Sequence, residues 1–320
     1  MNEHSQSTDL RSAAVAHPRL HGLILRARHL ADTRTMTVGL VYPCDSLAMG
    51  AAAQIAAAGI ARPLLIGPAA PIARAAGAAG VDVARFELID TPDAGPAAAL
   101  RATTLAREGV IGALMKGSLH TDELMSAVVN KHSGLRGDTR ISHAFVFDLP
   151  RYPKPLALAD CVVNIAPNLH TKRDIIGNAI ALLQRLGVAH PKVAIVAAVE
   201  AVNPAIPATV DAQALVEMAR QGAWPGAIVE GPFGFDNAIS AEAARIKKID
   251  SQVSGDADLL LMPDLNAGNM LYKSFNYIGG GDCAGLVLGA KVPVVLTSRA
   301  DSLHSRIASV ALAVLASPHH

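Results

Sequence analysis

Four short stretches of this chain bring together side chains able to handle an anion. In VPVVLTSRADS, from Val292 to Ser302, an apolar run stops at a hydroxyl, a guanidinium and a carboxylate: Ser298, Arg299 and Asp301. A planar Arg fork can hold two phosphate oxygens. A helix opening just beyond would add unpaired N–H donors and a partial positive charge. The same letters also have a structural meaning, because Ser followed three residues later by Asp fits a capping box. In MKGSLHTDE an apolar run ends at Lys116 and Gly117, with the hydroxyls of Ser118 and Thr121 at an expected helix start. Asp122 and Glu123 would complement that helix's dipole, as in an ordinary strand–loop–helix junction. NKHSGLRGD carries Lys131, His132, Arg136 and Arg140, either a solvated basic face or a source of a second phosphate ligand at Arg136. PDLNAGNMLYK presents Asp264, Asn269 and Lys273 where Gly268 lets a ligand approach the backbone. Its structural meaning is a cap, with the lysine stem lying over apolar surface.

The elements that must position these residues alternate in type. TVGLVYP, ARPLLIGP, FELIDTP and VIGALMKG read as buried strands, and the segments between them as alanine-rich helices. That alternation predicts an α/β fold with parallel sheets and right-handed crossovers. Ligands of such sheets bind beyond the carboxyl ends of the strands, where the first, second and fourth stretches lie. Residues 141–163 break the pattern with two strand-like runs separated by PRYPKP, an antiparallel excursion at a domain boundary. A helix is expected over 171–187, with Thr171 as its cap and Gly187 as its stop.

Composition narrows the function. The 320 residues are 51% hydrophobic but only 3% aromatic, so the core must be aliphatic. The formal net charge of +1 gives no nucleic-acid footprint. Cys44, Cys161 and Cys283 are far apart and form no CxxC pair, which fits a reduced, cytoplasmic setting without a disulfide framework or zinc site. The polar N-terminus lacks an apolar signal core, and no run of about 20 apolar residues suggests a membrane span. Asp256, Asp258 and Asp264 lack the spacing of a metal loop, and neither a P-loop nor a GxGxxG is present.

Five motifs in order carry a resemblance over roughly residues 36–317: MKGSLHTDEL, PKVAIVAAVEAVNP, GPFGFDNAIS, GDADLLLMPDLNAGNMLYK and VVLTSRADS. Together they resemble the phosphate acetyltransferase and phosphate butyryltransferase family, with SRADS nearer the butyryl branch. The resemblance implies a two-domain α/β/α fold with parallel-rich sheets, like isocitrate and isopropylmalate dehydrogenases, and an interdomain cleft. The first domain would be discontinuous, residues 1–140 plus 290–320 with a flexible lead over 1–20, and the second would span 141–289. The implied reaction is short-chain acyl-CoA (acetyl or butyryl) plus phosphate giving acyl phosphate plus coenzyme A, by direct thiolate attack in a ternary complex. Coenzyme A is a substrate there, no metal or other cofactor is required, and the protein is expected to be a homodimer.

The resemblance also implies roles. Ser298, Arg299 and Asp301 would be catalytic: oxyanion donor, phosphate ligand and base. Lys116, Ser118, Thr121 and Arg136 would bind phosphate, and Asp264, Asn269 and Lys273 would line the substrate and coenzyme A cleft. Acetyl-branch members carry a carboxylate about two turns beyond the Ser–Arg pair, where this chain has Ser305, so the base could also come from elsewhere in the cleft. Two alternatives remain: a metal-dependent dehydrogenase of the same fold, and a catalytically silent relative that binds acyl-CoA.

Overall fold

The computed structural model describes residues 12–131, 135–296, 298 and 301–317. The chain forms two compact units, Met1–Ile141 with Ala284–His320, and Ser142–Cys283. In the first unit, α1 (Pro18–Thr33) starts on a proline, whose missing N–H costs nothing at a helix start. Then come β1 (Thr37–Val41), α2 (Ser46–Ala58), β2 (Arg62–Gly67), α3 (Ala69–Ala79), β3 (Glu87–Asp90), α4 (Gly95–Arg107), β4 (Ala113–Lys116) and α5 (Thr121–Val129). Residues 12–16 are helical and Leu20 is only 1% exposed. Part of the stretch expected as a flexible lead is thus helical, and the apolar face of α1 has a core to join.

The second unit opens with β5 (Ser142–Asp148) and β6 (Leu156–Ala159), paired antiparallel as the PRYPKP interruption suggests. It continues through α6 (Leu169–Arg185), β7 (Lys192–Val196), α7 (Pro207–Arg220), β8 (Ile228–Phe233), α8 (Phe235–Ile239), α9 (Ala241–Ile246), β9 (Leu259–Leu261) and α10 (Leu265–Tyr277). Its strand order is β5-β6-β9-β7-β8, with β6, β9, β7 and β8 parallel. The α6 cap is Asn168 rather than the expected Thr171. Both types cap well, but Asn168 accepts from the Thr171 backbone N–H at 2.9 Å, so the helix begins two residues before Thr171. Gly187 follows the helix with φ +94°, a conformation that favours glycine.

The chain returns to the first unit through β10 (Asp282–Leu288), β11 (Val294–Val295) and α11 (Leu303–Ala316). Within that unit the order is β3-β2-β1-β4-β11-β10, parallel except for β10. β1 runs between β2 and β4, so successive crossovers leave it in opposite directions. That is a topological switch point. Strands such as β1 and β2 are buried almost end to end, as expected of a parallel sheet covered on both faces. Small residues such as Ala48, Ala51 and Ala52 of α2 form the buried side of their helix. α11 is buried nearly all round and packs on α1 and α2.

The second core is different. Phe145 stacks on Tyr272 at 4.4 Å, and Phe147 meets Phe275 edge-on at 5.1 Å. Trp224, 9% exposed, lies over Gly177, where a Cβ would come within 3.3 Å of the indole nitrogen. Among the described residues no helix is long and apolar enough to cross a membrane.

Candidate active site

At the switch point of the first unit the loops after β1, β4 and β11 surround a cavity of about 310 Å³. Asp45, Lys116, Ser118, Thr121, Ser298 and Arg306 are among its lining residues. Two of the four sequence motifs, with the loop after β1, contribute to this one place, because parallel strands deliver their carboxyl ends to the same edge.

The β1 and β4 loops are tied together. Gly117 N–H donates to Val41 O and Ser118 N–H to Tyr42 O, both at 2.9 Å. A Cβ on Gly117 would stand 2.5 Å from the carbonyl oxygens of Val41 and Tyr42, so no other residue fits without parting the loops. The Ser118 hydroxyl donates to Tyr42 O (2.8 Å) and accepts from Cys44 N–H (3.0 Å). Ser118 therefore positions the loop rather than standing at a helix start. The helix begins at Thr121, with Asp122 and Glu123 in its first turn, and Glu123 accepts from the His120 N–H at 2.8 Å. Lys116 is half-buried, with its ammonium donating to Gly117 O and Leu119 O, each at 3.2 Å. Asp45 caps α2, accepting from Ala48 N–H at 2.8 Å.

Two groups beside the cavity have altered acidity. The Tyr42 hydroxyl donates to Asp93 at 2.6 Å. That bond, with some burial, pushes its pKa up to about 12. Burial, with Asp93 and Asp45 nearby, pushes the Cys44 thiol up to about 11. Cys44 is thus a protonated thiol at neutral pH.

The turn after β11 departs from the capping-box expectation. α11 starts at Leu303 and its cap is Ser302, whose hydroxyl accepts from Ser305 N–H at 2.9 Å. Ser298 stands one turn earlier. Asp301 reaches back to accept from the Ser298 N–H at 2.7 Å, and its own N–H donates to Ser298 O at 3.2 Å. Arg306, which the motif reading missed, donates to Ser298 O at 2.7 Å and to Asp301 O at 3.4 Å. A cation in a mainly apolar helix, eight residues beyond the serine, was the available signal. Arg299 lies outside the described residues.

The remaining expected residues lie elsewhere. Arg136 is exposed, its backbone bridging Ala290, and it does not line this cavity. In the second unit Asp264 caps α10, accepting from Ala267 N–H at 3.0 Å. Asn269 donates to Cys161 O at 3.3 Å, and Lys273 is exposed. Gly268 packs on the backbone of Asp160, where a Cβ would meet the carbonyl at 2.5 Å. That contact explains this glycine without a ligand. Among the described residues no group of three or more His, Cys, Asp or Glu side chains is arranged to hold a metal ion.

A parallel sheet with a polar cavity at its switch point is the architecture of an α/β enzyme, and the comparisons with known proteins make it a transferase. A family model described as "Phosphate acetyl/butaryl transferase" matches residues 96–314. A phosphate acetyltransferase of Rhizobium meliloti is 48% identical over 92% of each chain. A phosphate butyryltransferase of Clostridium acetobutylicum is 39% identical over 80% of this chain and 85% of its own. The crystal structure of a branched-chain phosphotransacylase from Enterococcus faecalis V583 superposes with a TM-score of 0.79 at 30% identity, covering 89% of this chain and 100% of that one. The chain belongs to the phosphate acetyl/butyryl transferase family. That membership replaces the dehydrogenase alternative.

Proposed function

We propose that this protein transfers a short acyl group, acetyl or butyryl, between coenzyme A and inorganic phosphate. The observation that carries the reading is the Ser298 cavity, in a chain of this family. There a hydroxyl, two cations (Lys116 and Arg306) and two carboxylates (Asp45 and Asp301) converge at a switch point. From acyl phosphate, a carboxylate takes the proton of the coenzyme A thiol. The thiolate sulfur then attacks the acyl carbonyl carbon, the carbon–oxygen bond to phosphate breaks, and phosphate leaves with the electron pair. The reverse direction makes acyl phosphate and free coenzyme A.

Each residue has a role in this reading. Ser298 donates to the carbonyl oxygen as negative charge develops on it. Arg299 and Lys116 offset the charge of phosphate, with Thr121 at the open end of α5 supplying a further donor. Asp301 takes the proton, and Asp45 is the second carboxylate placed to do so. Ser118 acts through the loops it joins. Asp264, Asn269 and Lys273 serve the coenzyme A side, and Arg136 supplies a more distant positive charge for the incoming anion. Holding two substrates together supplies much of the rate, and no redox group or metal enters the steps.

We further propose a cytoplasmic homodimer. Met270, Tyr277 and Ile278, exposed on or beside α10, suit a face that a second copy would cover. The three cysteines are free, in keeping with a reducing compartment. Thiol release from acetyl-, propionyl- and butyryl-CoA with and without phosphate tests the activity. Phosphate-dependent release is expected, and phosphate-independent hydrolysis alone would overturn the reading. Sedimentation equilibrium tests the dimer, which an active monomer would refute.

A further inference from the structure

Arg306 is 8% exposed, yet no Asp or Glu among the described residues lies within ion-pair distance of it. Buried charges are ordinarily paired, because taking an ion out of water is costly unless a counter-charge replaces the lost hydration. Its guanidinium has five N–H donors. One is spent on Ser298 O at 2.7 Å and one, weakly, on Asp301 O at 3.4 Å. Both acceptors are neutral carbonyls, and the side chain lines the Ser298 cavity. A second buried cation, Lys172, 5% exposed in the second unit, has a carboxylate at 2.7 Å from Asp211. The fold can therefore pair a buried cation, and among the described residues it supplies no carboxylate to Arg306.

We infer that Arg306 is an anion-binding residue whose counter-charge is the phosphate group held in the Ser298 cavity. The fork that grips the Ser298–Asp301 turn would grip the phosphate with its remaining donors, so that binding the anion and aiming Ser298 become one event. The inference rests on the acyl-transfer reading for the identity of the anion. It predicts a defect confined to phosphate, since coenzyme A would not depend on this contact.

Calorimetric titration of inorganic phosphate at constant ionic strength tests it, on the wild-type protein, Arg306→Gln and Arg306→Lys. Loss of a charge-assisted contact should weaken phosphate binding by roughly 10-fold or more in Arg306→Gln. Arg306→Lys keeps a charge without the fork, so it should fall between, and it serves if the Gln variant does not fold. The KM for phosphate should rise in parallel while the KM for acyl-CoA stays near wild type. A residue that only holds the turn would lower the melting temperature and leave phosphate affinity intact. Wild-type phosphate affinity in either folded variant, or no phosphate binding by the wild-type protein, would overturn the inference. Acyl phosphate formation by the wild-type protein, measured alongside, reports on the acyl-transfer reading alone, because calorimetry detects binding without turnover.

Discussion

At their strand ends the two units treat polar side chains in opposite ways. In the second, Asp160 beyond β6 is 3% exposed and its carboxylate is saturated. It accepts from the backbone N–H groups of Val162 (2.8 Å), Val163 (3.0 Å) and His143 (3.1 Å) and from the Asn164 amide (2.7 Å). Burial pushes the neighbouring His143 down to about 4, against the opposing pull of Asp160, so this imidazole stays neutral. In the first unit, Asp45 caps α2, Ser118 ties two loops together and Asp301 closes a turn, while Arg306 has no carboxylate counter-ion among the described residues. A network whose members satisfy one another rigidifies its surroundings. A charge whose needs are met only in part stores an affinity that a ligand can complete. On the proposed reading, the first unit's cavity holds the phosphate, while the second unit's network serves stability.

Substitutions can break this comparison. The largest effect is expected for Asp301→Asn, with kcat falling by roughly 10²–10⁴ if Asp301 takes the thiol proton. Asn can still accept from the Ser298 N–H, so the turn should survive. Asp45→Asn is the paired control, because Asn caps a helix as well as Asp does. A kcat loss in Asp45→Asn alone would transfer the base role to it. Next, Ser298→Ala should lower kcat by about 10²–10³, with coenzyme A binding little changed. Near-normal turnover by the folded variant would leave Ser298 a turn residue only.

The second unit should respond in stability. Asp211→Ala strands the Lys172 ammonium, and a loss of up to about 3 kcal/mol in denaturant unfolding is expected, with kcat of the folded fraction unchanged. Lys273 is exposed, so Lys273→Ala should raise the KM for coenzyme A by only about 2- to 5-fold, screened further by salt. An unchanged KM would remove it from the coenzyme A side.

The smallest effect concerns pH. Burial tends to raise the pKa of Asp256, but hydrogen bonds from Lys154 and Lys192, with their charges, lower it overall. A depressed carboxylate contributes stability above its unfolded pKa of about 3.9, and that contribution is lost as pH falls through the folded value. Melting temperatures should therefore drop below about pH 4, less so in Asp256→Asn. Equal acid sensitivity in both proteins would show that Asp256 is not involved.

Much of the fold could be read from the chain because apolar runs closed by polar residues are a local signal. TVGLV, RPLLIG and the β5–β6 excursion lie where the letters put them. Five motifs in order carried the family. What escaped was tertiary. Ser118 looked like a helix-start hydroxyl because nothing local reveals that its partners are Tyr42 and Cys44, more than seventy residues earlier. The Ser298–Asp301 pair matched a capping box in spacing, but the carboxylate closes a turn and a neighbouring serine, Ser302, takes the cap. Arg306 on an apolar helix reads as a snorkelling side chain until its 8% exposure is known.

The distribution of aromatic residues has a spectroscopic consequence. Trp224 is the only tryptophan, buried over Gly177 in the second unit, while the first unit's aromatics are Tyr42 and Phe86. Selectively excited indole emission is therefore a built-in reporter of Ser142–Cys283 alone, whereas far-ultraviolet circular dichroism averages over the whole backbone. Melting curves from the two signals that coincide would mean that both units unfold as one cooperative block. Curves that separate would give each unit its own transition, without a single label having been attached.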